Sequence, residues 1–243
     1  MHLLPLVVMP MTPIIKTNLA NRQNYGSARS ADKIKYIVIH YTGNDGDHDE
    51  SNGNYFKNNV VKASAHYFVD DDSITISVPE LFTAWSVGGT KWKDCAATGG
   101  GTMYGKITNT NSISVEMCDT QRNGTLMATE KTMANTAELV KELMKKYNVD
   151  ADHVYRHFDV TGKHCPAYFM NAYAWAEFKA RLKESDTVET YKTINDIPAF
   201  ALPTVKKLIA HGSLQGNSKG ELNLSYDMLR LLVINDREGC YGK

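Results

Sequence analysis

From Ile34 to His40 the chain alternates Ile34, Tyr36, Val38 and His40 with Lys35, Ile37 and Ile39. Both sets are mostly apolar and rich in β-branched residues, so the run predicts a strand covered on both faces, near the centre of a sheet. It ends at His40, where the polar TGNDGDHDE begins. A histidine at the end of a central strand stands where α/β sheets usually carry their ligands. Ser112–Cys118 (SISVEMC) predicts a second strand, with Ile113, Val115 and Met117 on one face and Ser114, Glu116 and Cys118 on the other. Ala65–Val69 and Ser73–Val78 flank the acidic triplet Asp70–Asp72 and read as strands joined by a hairpin turn. Apolar residues at helical spacing (Met133, Ala137, Val140, Met144) follow the capping residue Thr129 and predict a helix to about Tyr147. A second amphipathic helix is expected over 171–184, and Ser51 is expected to cap a short one to about Asn59. Strands alternating with helices give an α/β fold: a mixed central β-sheet flanked by helices.

The pattern changes at both ends. Residues 1–33 show no periodicity and read as an N-terminal arm laid over the domain of residues 34–184. The polar stretch 185–195 reads as a linker. Residues 196–243 read as a small C-terminal helical module, with helices near Phe200–His211 and Ser225–Asn235. About fifty residues bury only a modest core, so such a module is marginal alone. Between Glu80 and Thr110 the chain is rich in Gly, Thr and Trp, which predicts a long functional loop holding Trp85 and Trp92.

Composition narrows the function. The 27 Lys+Arg balance 27 Asp+Glu, which argues against electrostatic capture of nucleic acid or of an anionic membrane. No run approaches the roughly 20 apolar residues of a membrane span. The start, MHLLPLVVMP, is apolar but lacks a basic leader and is broken by Pro5 and Pro10, so it reads as a tail or strand rather than a signal peptide. The expectation is a protein made in the cytoplasm. Four cysteines (Cys95, Cys118, Cys165, Cys240) are too few and too scattered for a disulfide framework.

The densest chemistry lies in Arg156–Pro166, RHFDVTGKHCP. Imidazole nitrogen and thiolate sulfur are favoured zinc ligands, and Gly162 lets the chain bend so that His157 and Cys165 reach one ion. His40 supplies a third ligand, and three protein ligands plus water is the composition of a catalytic zinc site. His164 and His153 lie close in sequence, but no fourth ligand is evident. Glu116, a carboxylate in an otherwise apolar or small strand, is the candidate general base, with a structural ion pair as the alternative. Lys163, two residues before Cys165, is a candidate for stabilising an oxyanion, or else a solvated loop lysine. DGDHDESNGNYF is not a calcium loop, because Glu50 stands at its sixth position and Phe56 at its twelfth. Gly99–Gly101 is not a phosphate loop, because no Gly-Lys-Ser/Thr follows.

IVIHYT ending at His40, SAHYFVDDD at 64–72, NSISVEMC at 111–118 and RHFDVTGKHCP at 156–166 together resemble the zinc N-acetylmuramoyl-L-alanine amidases of the peptidoglycan-recognition fold, most closely the endolysins of phages infecting Gram-positive bacteria. The resemblance covers roughly residues 30–184, and it implies cleavage of the amide joining muramic acid to L-alanine of the peptidoglycan stem. It carries the Zn2+ ligands to His40, His157 and Cys165, and the catalytic pair to Glu116 and Lys163. Some members place a tyrosine just before the histidine of the second motif; here that position is Ala65, so the chain resembles the branch that uses glutamate. His66 is then expected to be a core histidine hydrogen-bonded in the sheet. The C-terminal segment resembles appended modules that bind cell wall, with packing or dimerisation as the alternative. The rival functions are a non-catalytic peptidoglycan-binding module and a zinc peptidase cutting within the stem. Lacking a recognisable signal peptide, such an enzyme would reach the wall on lysis or by a non-classical route.

Overall fold

The computed structural model describes residues 13–183 and 190–242. The MHLLPLVVMP start and residues 184–189, which include the first part of the expected linker, lie outside the described residues. The chain divides into two compact units, one ending at Lys183 and the other following it.

The first unit begins with strands β1 (Ile14–Thr17), β2 (Tyr25–Ala28) and β3 (Tyr36–Asp45), then helix α1 (Asp49–Asn58). Strands β4 (Tyr67–Val69), β5 (Ser73–Ile76) and β6 (Phe82–Ala84) precede the one-turn helix α2 (Cys95–Thr98). Next come β7 (Ser112–Arg122), β8 (Thr125–Met127), α3 (Glu130–Tyr147), β9 (Val154–Arg156), α4 (His157–Thr161) and α5 (Ala172–Lys183). Among the described residues the main sheet runs β1-β5-β4-β7-β3-β9, with β8 paired to β7. Pairs β1/β5, β4/β7, β7/β3 and β3/β9 are parallel, whereas β4/β5 and β7/β8 are antiparallel. The sheet is therefore mixed, and β3 and β7 are central, both buried over their first halves.

Side-chain alternation separates the two faces. Ile37 and Ile39 of β3 and Ile113, Val115 and Met117 of β7 join Ala137, Val140 and Leu143 of α3 and Phe178 and Leu182 of α5 in one core. The opposite face carries Val38 and His40 of β3 and Ser114, Glu116 and Cys118 of β7. Helix α3 is held at its start by Thr129 Oγ1, which accepts the Thr132 N–H at 3.0 Å, and ends at the left-handed Asn148.

Three local expectations are corrected. The N-terminal arm is not irregular throughout: β1 adds an edge strand to the main sheet and β2 pairs with β6. Strand β3 continues past His40 to Asp45, because β7 also continues and offers it a partner at Asp119. Helix α1 starts at Asp49 rather than behind Ser51. Its first N–H is satisfied by Asp70 Oδ2 at 3.2 Å, a cap supplied by the β4–β5 turn instead of by the helix's own sequence.

In the second unit, β10 (Thr190–Tyr191) pairs antiparallel with β11 (Leu224–Ser225). Helices α6 (Leu202–Ala210) and α7 (Tyr226–Arg237) enclose a separate core of Ile197, Ala201, Val205, Leu224, Leu229 and Val233. No helix among the described residues is long and apolar enough to cross a membrane.

Candidate metal centre

Sheet register assembles the centre. His40 of β3 stands directly across from Glu116 of β7, and Ile39 from Arg156 of β9, so His157 begins α4 beside His40. His40 and Glu116 thus sit side by side midway along β3 and β7, and His157 comes immediately after the carboxyl end of β9. After α4 the chain turns at Gly162, which adopts φ +90°. A Cβ there would be strained in that left-handed conformation and would also collide with Cys95 Sγ. The turn closes through Phe158 N–H, which donates to the Cys165 carbonyl at 3.0 Å, and Cys165 N–H, which donates to the Lys163 carbonyl at 2.7 Å. Arg156 fixes the base of the loop: Nε and Nη2 donate to the two Asp159 carboxylate oxygens at 3.0 and 2.7 Å, and Nη1 donates to the Phe169 carbonyl at 2.6 Å.

The result is a buried cluster of His40, His157 and Cys165, one ligand atom from each lying within 4.8 Å of the others. The two imidazole rings are 4.7 Å apart between centroids, and Cys165 Sγ is 3.8 Å from His40 Nδ1. His40 Nε2 and His157 Nδ1 are buried with no hydrogen-bond partner among the described residues. An orphaned buried nitrogen is costly unless something else satisfies it, and a metal ion held in this cluster would satisfy His157 Nδ1. Burial, reinforced by the neighbouring His157 and Lys163, holds His40 well below the usual histidine range. Burial, then Lys163, brings His157 down to about 4. Both rings are therefore neutral near pH 7, the form that binds metal. Burial pushes the Cys165 thiol up, so metal binding there must displace a proton.

Glu116 Oε1 is 3.8 Å from His40 Nδ1. Burial raises its carboxyl to about 8; Lys163 acts against the rise, and Asp119 and Asp47 add to it. The side chain keeps 19% of its surface open to a cleft. Lys163 lies in the same cleft, a cavity of about 600 Å³ walled by Tyr41, Asp47, Tyr55 and Phe56. A smaller cavity of about 150 Å³ reaches the His40–His157–Cys165 cluster and shares Tyr41, Phe56, Glu116 and Lys163 with the larger one, adding Trp85. All five site residues expected from the sequence are therefore gathered in one place. Trp92 is not: it packs against His164, ring centroids 5.8 Å apart. His164 faces Asp94 at 3.7 Å and His153 faces Asp150 at 2.7 Å, so neither joins the cluster.

Tyr41, Phe56 and the buried Asp119 were not expected. Asp119 Oδ2 accepts the Gly43 N–H at 2.9 Å, and burial raises its carboxyl to about 7. The only sequence signal for Tyr41 was its position next to His40; the side chain becomes a cleft wall because β3 does not stop there. The 80–110 loop is laced to the same region: Trp92 N–H donates to Thr161 O at 2.8 Å, and Gly101 and Met103 N–H donate to Phe158 O and Asp159 O at 2.9 and 2.8 Å. His66 stays in the core. Its Nδ1 accepts the Ser114 N–H at 3.0 Å, and its Nε2 lies 3.1 Å from both Phe82 O and Arg29 Nη2.

The family model for N-acetylmuramoyl-L-alanine amidase matches residues 30–168. The chain is 33% identical over 154 residues to the N-acetylmuramoyl-L-alanine amidase BlyA of Bacillus subtilis (strain 168), covering 62% of this chain and 41% of that protein. Its fold is similar to the solved structure of PlyL, with a TM-score of 0.56 and 27% identity over 73% of this chain and 100% of that one. It is similar also to a mutant endolysin from Bacillus subtilis, with a TM-score of 0.54 and 27% identity over 70% and 99% of the two chains. The chain spans 37 to 44% of the length of the first curated relatives it matches.

Proposed function

This chain belongs to the N-acetylmuramoyl-L-alanine amidase family, and from that premise we propose that it hydrolyses the amide between the lactyl group of muramic acid and L-alanine in peptidoglycan, with zinc held by His40, His157 and Cys165. The observation that carries the proposal is the buried two-imidazole, one-thiol cluster with the orphaned Nδ1 of His157. Tetrahedral zinc with nitrogen and sulfur ligands separates its ligand atoms by roughly 3.5 Å, close to the 3.8 Å between Cys165 Sγ and His40 Nδ1. Zinc in such a set polarises a carbonyl and makes water nucleophilic near neutral pH.

The residues then divide the work. Tyr41, Phe56 and Trp85 wall the approach and exclude water from the reacting amide. Glu116 takes the proton of the attacking water and returns it to the alanine nitrogen as the carbon–nitrogen bond breaks. Its raised pKa suits the second half of that task, since a carboxyl that holds its proton near neutrality can deliver it. Lys163, on a loop tied at Thr161 and Cys165, offers its ammonium to the oxyanion that develops on the lactyl oxygen.

The test is zinc content together with wall lysis, on the native chain and on Cys165→Ser. Stoichiometric zinc and lysis, both lost in the variant, and new amino termini on L-alanine are the expected result. Zinc-free native protein that still binds walls would point to a binding module instead, and amino termini on any later stem residue to a peptidase.

A further inference from the structure

The second unit has a cleft of its own. Tyr226, Arg230, Ile234 and Arg237 follow one another at three- and four-residue steps along α7, and so lie on one helical face. With Phe200 and Val233 they line a cavity of about 240 Å³. Phe200 and Tyr226 meet edge to face, centroids 5.5 Å apart, and are 42% and 43% exposed. Arg230 and Arg237 are exposed, and neither guanidinium has an ion-pair or hydrogen-bond partner among the described residues. Asp236 does not neutralise them: it receives Thr204 Oγ1 at 2.7 Å and Lys207 Nζ at 2.8 Å.

Two free guanidinium forks call for oxyanions, and the aromatic pair beside them calls for a flat, partly apolar body. Seven residues of helix separate the two arginines, roughly 10 Å along the axis, a span comparable to a disaccharide. The ligand therefore carries anionic groups at intervals along a chain of neutral rings. The proposed reaction makes such a ligand. Hydrolysis of the lactyl amide places the water oxygen on the carbonyl carbon and protons on the alanine nitrogen, leaving an ammonium on the peptide and a carboxylate on the muramic acid. Muramic acid recurs at every second sugar, so a strand stripped of its peptides bears one carboxylate per disaccharide.

We propose that the Phe200–Tyr226–Arg230–Arg237 cleft binds the peptide-stripped glycan strand, with carboxylates on the two arginines and a sugar ring against the aromatic pair. This rests on the amidase reading above. It makes the second unit a reader of the catalytic unit's product, which retains the enzyme on strands already partly cleared.

The experiment measures binding of the full chain to soluble glycan strands stripped of peptide, to neutral N-acetylglucosamine oligomers of equal length, and to a phosphate-bearing wall polymer. Stripped strands are expected to bind about tenfold tighter than neutral oligomers. The double variant Arg230→Gln, Arg237→Gln loses that preference while its circular dichroism and its rate on a short soluble muropeptide stay unchanged. Equal binding of neutral and stripped strands, a preference that survives in the double variant, or a preference for the phosphate polymer alone would each overturn the proposal. The two readings fail separately. Absence of new L-alanine termini from the muropeptide would sink the amidase assignment, whereas an active enzyme with no strand preference would sink this one.

Discussion

Glu116 and Lys163 face the same cleft, yet their replacement has different consequences. Glu116→Gln keeps the shape and removes the proton carrier, so wall lysis should fall by about 10²- to 10⁴-fold with bound zinc unchanged. Lys163→Met removes a charge offered to the oxyanion, and kcat should fall by roughly 10²-fold with little change in KM. Kinetics on a soluble muropeptide, read alongside zinc content, separates both from simple loss of the metal. His66 gives a pH prediction remote from the chemistry. Burial, with Arg29 beside it, lowers its pKa to about 3, from an ordinary value of 6.5. Below pH 6.5 the unfolded chain takes up a proton that the folded chain refuses until about pH 3, so stability falls as pH drops through that window. Between pH 6.5 and 4 this one residue should cost roughly 3 kcal/mol. Urea unfolding of the native chain and of His66→Gln at both pH values checks it: the variant, weaker at neutral pH, should lose less on acidification.

At the scale of elements, the site depends on one turn. Gly162→Ala places a side chain in the left-handed region and against Cys95. The turn carries Lys163 and Cys165, so the expected result is a loss of roughly 1–2 kcal/mol in stability, together with weakened zinc retention. Thermal melting and metal analysis of the variant would show both; a stable variant with full zinc would mean the turn is not needed in this form. The elements that carry the site were also the most legible ones. The run ending in His40 is apolar on both faces, and the run containing Glu116 is apolar on one face and mostly small on the other, patterns that fit buried central strands. What was not legible is short or supported from elsewhere. IIKT of β1 is an edge strand with Ile14 and Ile15 63% and 52% exposed, so no buried face marked it. β9 and α4, three and five residues long, are too short for a period to show. Tyr41 and Phe56 become cleft walls only through the register of strands and the seating of α1, which periodicity cannot express.

The whole molecule consists of two units with separate cores, one around β3, β7, α3 and α5 and the other around α6 and α7. Calorimetry should therefore resolve two transitions. Zinc that binds only the folded first unit stabilises it by about 4 kcal/mol at a thousandfold excess over Kd. Chelation should lower one transition and leave the other in place; a chelator that moved both, or neither, would contradict the assignment. The parallel register that sets His40 against Glu116 and His157 has a further consequence. His40 belongs to an early strand and His157 begins the helix that follows the last strand of the sheet, so the proposed ligands meet only after contacts distant in sequence have formed. Such topologies assemble late and slowly. A nascent chain still on the ribosome, with β9 not yet made, cannot bring His40 and His157 together, and the proposed centre comes into being only as its sheet closes.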